Sequence, residues 1–273
     1  MLKRSLKPEI EYILDDKNSM EKIKKALDNN ETVTGRVKSL DINGKRLIVS
    51  LGGKMNGILP FNEVTIEELK YIKNIVPIQV EELIKQRTIR CKIIAIDGKF
   101  IILSRKRNLM EVFDFLSKST NITFKALVIG TAEFGVFCDI GDGIRALCGK
   151  EDISEIHQDP RIWVSNGFQS NAVITEISNY EHQIRISFRK AYDRKDINKF
   201  RMNQIIKVKI GDKIINDRGK ITGYYCEVTP SIPGIANLIF RNDEYEIGEV
   251  VEAFIQSIDK ANYRMKVSIL NKV

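Results

Sequence analysis

Residues 133–143 read EFGVFCDIGDG. Phe134 and Phe137 lie three apart with Gly135 between them, at the start of a strand-like run. In a regular strand, residues three apart point to opposite faces, because side chains alternate with a period of two. A glycine inside a strand marks a bulge or a sharp bend. A bulge at Gly135 would add one residue to the count and turn both rings to the same side. Gly141-Asp142-Gly143 then reads as the turn into the next strand.

The pattern occurs three times. RLIVSLGG (46–53), VFCDIGDG (136–143) and YYCEVTPS (224–231) are each a short β-rich run followed by a turn. Ile48, Phe137 and Tyr225 occupy matching places, 89 residues apart in the first interval and 88 in the second. So even a spacing identifies an array of equivalent units. In the middle copy Ile122, Phe124, Ala126 and Val128 alternate through a first strand, IRALC (144–148) makes a third and NAVITEI (171–177) a fourth. The fifth strand, QIRISFR (183–189), puts Ile184, Ile186 and Phe188 on one side and Arg185, Ser187 and Arg189 on the other. RMKVSI (264–269) closes the third copy alike, with Met265, Val267 and Ile269 inward and Arg264, Lys266 and Ser268 outward. Five strands in about 70 residues, with the longer connection between the third and fourth, predict a small closed barrel of the OB type.

The expected fold class is therefore all-β: three tandem five-stranded OB-fold barrels joined by short helical linkers, with an N-terminal helix. Residues 1–30 form the N-terminal helical segment, with the helix itself at Ser19–Asp28 and Ser19 as its cap. Repeats occupy 31–106, 121–190 and 204–273, separated by a linker helix over 107–120 and a polar, basic linker over 191–203.

Composition fits a chain with several small cores: 273 residues, 43% hydrophobic. No apolar run approaches the roughly 18–20 residues that span a bilayer, and the N-terminus lacks an apolar signal core, which reads as cytoplasmic with no membrane partner. Cys91, Cys138, Cys148 and Cys226 are scattered in apolar surroundings and form no CxxC pair, as expected of reduced core thiols. The net charge of +8 invites a polyanionic partner, but residues 119–190 hold only 7 basic against 9 acidic side chains. A nucleic-acid site there must rest on placed residues, not on bulk basicity. His157 and His182 sit among polar residues and read as surface histidines. With no P-loop, HExxH or GxSxG motif, the sequence points away from an enzyme and offers no catalytic residue, metal site or cofactor.

The run FGVFCDIGDGIRAL resembles the S1 RNA-binding domain, an OB-fold family whose second strand carries Phe-Gly-x-Phe-Val-Asp-Leu-Gly. ILSRKRNLMEVFDFL (102–116) is similar to the strand end and linker helix that follow the first repeat in bacterial ribosomal S1 proteins. GRVKSLDINGKRLIVSLGGKMNGILP (35–60) resembles their opening repeat, which attaches to the ribosome rather than holding RNA.

The resemblance implies single-stranded RNA, in practice mRNA, as the partner. It implies an RNA face of two aromatics on strand two, a histidine on strand three and an Asp…Arg pair near the last hairpin. The second copy matches with Phe134, Phe137 and Arg185, with Arg189 one pair further along, while Gly149 stands at the histidine place. The third matches with Tyr225, Phe240 in place of the histidine, and the pair Asp259 and Arg264, with Thr222 at the first aromatic place and Lys266 sharing the outer face. Tyr224 takes the role of Tyr225 if a bulge falls one residue away. Stacking on bare rings holds single strands with little sequence preference, and nearby cations meet phosphate. The competing expectation is that these rings are core.

The first copy keeps Ile48 where the aromatic would be and Phe100 at the arginine place, with Ile102 beside them. An apolar face of this kind fits protein docking, for which the small ribosomal subunit is the implied partner, or a surface covered by the chain's own N-terminal helix. Arg105-Lys106-Arg107 and Arg194-Lys195 with Lys199 and Arg201 read either as solvated helix faces or as a backbone-tracking stripe. Trp163 reads as a packing residue of the long connection or as a base platform. Three functional expectations stand together: a monomeric RNA-binding protein assisting translation, an S1-repeat post-transcriptional regulator acting off the ribosome, and a protein-interaction adaptor.

Overall fold

The computed structural model describes residues 19–66, 71–72, 76–77, 79–81, 84, 88–118, 122–141, 144–178, 183–238 and 244–272. They fall into two compact units, Met1–Thr120 and Asn121–Val273.

In the first unit, helix α1 (Ser19–Asp28) leads into β1 (Thr32–Asp41), β2 (Arg46–Gly52) and β3 (Met55–Pro60). A two-stranded excursion of β4 (Tyr71–Ile72) and β5 (Val76–Pro77) precedes β6 (Thr88–Asp97) and β7 (Phe100–Ser104). Strands β1-β2-β3-β7-β6 close into a barrel in which β3 and β7 run parallel and the other pairs antiparallel. Strict alternation along β2 sends Leu47, Val49 and Leu51 inward, where they meet Leu59, Ile101 and Leu103. Helix α1 adds Ile23 and Ala26 to this core. Helix α2 (Arg105–Lys118) follows β7 directly and packs on β6. Arg105 is buried there and donates to the Val64 carbonyl at 3.0 Å, so it is no part of a basic surface stripe.

The second unit repeats the barrel twice. Strands β8 (Thr123–Ala132), β9 (Gly135–Asp139), β10 (Arg145–Gly149), β11 (Gln169–Ser178) and β12 (Gln183–Ser187) form one. Strands β13 (Ile205–Ile215), β14 (Ile221–Thr229), β15 (Ile232–Asn237), β16 (Val250–Asp259) and β17 (Arg264–Lys272) form the other. Strand order in both matches the first barrel, with strands three and five parallel, which is the OB arrangement and fits S1-type repeats. The connection from β10 to β11 holds two single-turn helices, α3 (Lys150–Ile153) and α4 (Pro160–Trp163). The linker over 191–203, expected to be helical, follows a 3-10 turn at Arg189–Ala191 and holds only another at Arg194–Lys199, from which Ile197 is buried in the third barrel's core.

Alternation on the fifth strands is as expected for Ile184, Ile186, Met265, Val267 and Ile269, all buried. The serines depart from it. Ser187 and Ser268 are buried too; at Ser187 the reason is that the strand ends and the chain turns off. The Ser187 hydroxyl accepts from the Lys190 amide at 3.0 Å and donates to the Asp152 carbonyl at 3.2 Å.

Candidate nucleic-acid interface

Residues directly opposite on neighbouring strands share a face. Phe137 on β9 faces Leu147 on β10, and Leu147 faces Arg185 on β12. In the third barrel Tyr225 faces Ile235, which faces Lys266. In the first, Ile48 faces Ile58, which faces Ile102. Each barrel thus carries one three-strand ladder on its outer wall, about 10 Å across. In the second and third barrels it runs aromatic, aliphatic, cation; in the first it is aliphatic throughout.

These rings are not core. Phe137 is 40% exposed and Tyr225 50%, while their strand neighbours Val136, Cys138, Tyr224 and Cys226 are buried. Tyr224 is the inward member of its pair: its hydroxyl accepts from the Tyr245 amide at 3.0 Å, and the two tyrosine rings meet edge to face. Burial pushes the Cys91, Cys138 and Cys226 thiols up to about 12 and raises Cys148 as well, so the cysteines are inert packing residues.

Phe134 and Phe137 do share a side, but not through a bulge at Gly135. Strand β9 begins at Gly135, and Phe134 belongs to the preceding turn. The register shift lies opposite, in β8 between Val128 and Gly130. Phe134 is 58% exposed, and its ring stands edge-on to Phe137 with centroids 5.9 Å apart. Gly130, the register partner of Phe137, leaves that ring's flank uncovered. Gly135 is needed for another reason, since a Cβ there would stand 2.3 Å from the Cys148 carbonyl oxygen. Glycine lets β9 approach β10 closely while the Phe134 carbonyl accepts from the Lys150 amide at 3.0 Å.

Other expected contacts are placed differently. The register puts Lys266, not Arg264, in the place of Arg185; Arg264 corresponds to Gln183 and Phe100. Arg185 is exposed and lies 3.5 Å from Glu176. Arg189 has left the sheet and is held by Glu155 at 2.9 Å. Asp259 closes the β16–β17 turn; hydrogen bonds from the Asn262 side chain and amide, then from Ala261, hold its carboxyl below the usual range. It braces the turn with Arg264 opposite in register. Phe240 lies outside the described residues, as do His182 and residues 179–181. His157 is a surface residue paired with Glu151 at 2.9 Å. On the first barrel Phe100 is 57% exposed while Ile48 and Ile102 are half-buried. Among the described residues, no cluster of His, Cys, Asp or Glu is arranged to hold a metal ion.

Sequence reasoning missed a seam between the second and third barrels. Trp163 is buried, and the Lys209 ammonium lies over its ring, 4.3 Å from the centroid, while also donating to the Trp163 carbonyl. Glu227, opposite Lys209 in register, accepts from Ser154 and the Trp163 indole, and its Oε2 is sealed without a partner among the described residues. Burial raises the Glu227 carboxyl and lowers the Lys209 ammonium. Around them the Glu155 amide donates to the Pro230 carbonyl at 2.9 Å and Gln158 to Asp212 at 2.8 Å. The available signal was a lone tryptophan in a long connection together with outward, oppositely charged residues at 209 and 227.

No protein-family model matches the chain, and none of the curated proteins matches it. Among solved structures it is similar to a multidomain protein with nucleic acid binding domains from Streptococcus pneumoniae: 13% identity, 90% of this chain and 75% of that one covered, TM-score 0.32. It is also similar to a chain of the a/eIF2alpha–aDim2p–rRNA complex from Pyrococcus horikoshii, at 15% identity, 30% and 50% coverage and TM-score 0.26. A third is the apo form of Mycoplasma genitalium RNase R, at 9% identity, 55% and 21% coverage and TM-score 0.25. Low identities and low TM-scores alike leave the functional assignment to this chain's own residues.

Proposed function

We propose that the protein binds single-stranded RNA without catalysing its turnover, stacking bases on Phe134, Phe137 and Tyr225 and meeting phosphate with Arg185, Lys266 and Arg264. One observation carries the reading: two successive barrels present the same aromatic–aliphatic–cation ladder, in the same register, on exposed outer walls. A base of any identity has a π-face, and stacking contributes about 1–3 kcal/mol per base. A duplex hides those faces, so the ladders select unpaired strands. In this reading the natural ligand is mRNA and the role is assistance to translation.

Fluorescence anisotropy with single-stranded and duplex oligonucleotides of equal length tests the proposal at two salt concentrations. Single strands are expected to bind more tightly. With about three cations in contact, the slope of log K against log salt is expected near about −2. Equal affinity for duplex would refute stacking.

The first barrel favours a second role. Its ladder of Ile48, Ile58 and Ile102, with Phe100 nearby, offers no cation and no aromatic at the stacking place. We propose that this wall docks on a protein of the small ribosomal subunit. Ile48→Arg should abolish co-sedimentation with that subunit while leaving oligonucleotide affinity intact; unchanged co-sedimentation would refute docking through this wall.

A further inference from the structure

Tandem domains on a free linker move independently by default. Between the second and third barrels, by contrast, the linker is tied at both ends. Glu155 receives Arg189 from the end of the second repeat and Arg194 from the linker, and its own amide reaches Pro230 of the third barrel. Further on, Ile197 is buried in the third barrel's core. The seam at Trp163, Lys209 and Glu227 then closes over desolvated charges.

This seam runs beside both ladders. Tyr225 and Glu227 are alternate residues of β14, so they share the outer wall about 7 Å apart. Glu227 bonds to Ser154, which directly follows α3. The other end of α3, about 6 Å away, is Lys150, whose amide bonds to the Phe134 carbonyl. One strand dipeptide and one helical turn therefore separate the aromatic of the third barrel from the aromatic pair of the second.

Resting on the RNA-binding reading, we infer that the second and third barrels form one bivalent site for unpaired RNA long enough to cross the seam. Glu155, Lys209 and Glu227 are then positioning residues that fix the spacing of the two ladders. A preset spacing makes the second contact intramolecular and raises affinity by about 10²–10⁴-fold without any new contact. One OB barrel accommodates about 4 nucleotides at the least, so an oligomer of about 4 occupies a single ladder and one of about 12 reaches both.

The test uses the full chain with fluorescent oligouridines of these two lengths. Wild type should bind the longer at least about 100-fold more tightly. Two variants open the seam by different means. Glu227→Lys sets two cations face to face. Gly211→Leu drives a wedge where a Cβ already stands 2.9 Å from Ile156 of the second barrel. Trp163, the chain's single tryptophan, reports opening by a red shift without any RNA present. Both variants should show the shift, lose at least about tenfold in affinity for the longer oligomer and keep that for the shorter. Equal wild-type affinity for both lengths would overturn bivalency while leaving RNA binding intact. A red shift with an unchanged length ratio would overturn the positioning role, as would variants in which Trp163 does not move. Failure of wild type to bind either oligomer would instead remove the underlying RNA reading.

Discussion

Replacing Gly135 with alanine puts a Cβ 2.3 Å from the Cys148 carbonyl oxygen and 3.0 Å from the Gly149 Cα. Both obstacles are backbone, so no side-chain rotation relieves them. Strand β9 would have to retreat from β10 by about 1 Å, and misfits of this size cost about 1–3 kcal/mol. With a urea dependence of about 1–3 kcal/mol per molar, the unfolding midpoint should fall by about 1 M. Trp163, buried in the same unit, follows that transition by fluorescence. The control is Gly149→Ala: this residue faces Gly135 in register, but a Cβ there meets nothing within 4 Å. Its midpoint should match wild type or exceed it slightly, since alanine restricts the unfolded chain. If the two variants unfold alike, the close approach of β9 to β10 is wrong, and with it the seating of Phe134 and Phe137.

Glu155→Gln should destabilise the second unit by about 1–3 kcal/mol at pH 7, because two arginines lose their carboxylate. Burial pushes the Glu155 carboxyl up, but hydrogen bonds from Arg194 and Arg189 outweigh it and set the net value below 4.5. A lowered folded value means the contribution is present above the unfolded value and lost as pH falls through the folded one. Wild type and variant should therefore converge in urea midpoint as pH falls below 4.5; a gap that persists at low pH contradicts the ion pairing. Tyr224→Phe removes the acceptor of the Tyr245 amide and should cost about 1–3 kcal/mol by the same assay, whereas Tyr225→Phe, on the outer wall, should leave the midpoint unchanged. The opposite ranking would mean that the two tyrosines are exchanged.

Most of the fold was legible because the fifth strands of the second and third barrels advertise their faces. In QIRIS and RMKVS an apolar residue alternates with a cation, and the even spacing of Ile48, Phe137 and Tyr225 located the repeats. Alternation failed at the end of β12 and at Ser268 within β17. Arg189 was extrapolated past the end of β12, and Ser187 is the last residue of that strand, paired with Val173, where the chain turns and the serine hydroxyl serves the turn. The choice between Tyr224 and Tyr225 was open in the sequence because it depends on an irregularity in the partner strand, between Ile210 and Lys213. Arg264 and Lys266 were both candidates, and only pairing of β15 with β17 puts Lys266 in the ladder. The seam was hidden for a different reason. Lys209 and Glu227 occupy outward positions, which in one isolated barrel face water; a second barrel makes them interior.

In the proposed function, bare rings on the second and third barrels hold nucleobases. Its most direct test is the affinity of the Phe137→Ala, Tyr225→Ala double variant for a single-stranded RNA, measured by fluorescence anisotropy beside its urea midpoint. Losing two stacks of about 1–3 kcal/mol each should weaken binding by at least about 30-fold, with little change in stability because both rings are largely outside the core. Wild-type affinity in the folded double variant would rule out stacking on these rings.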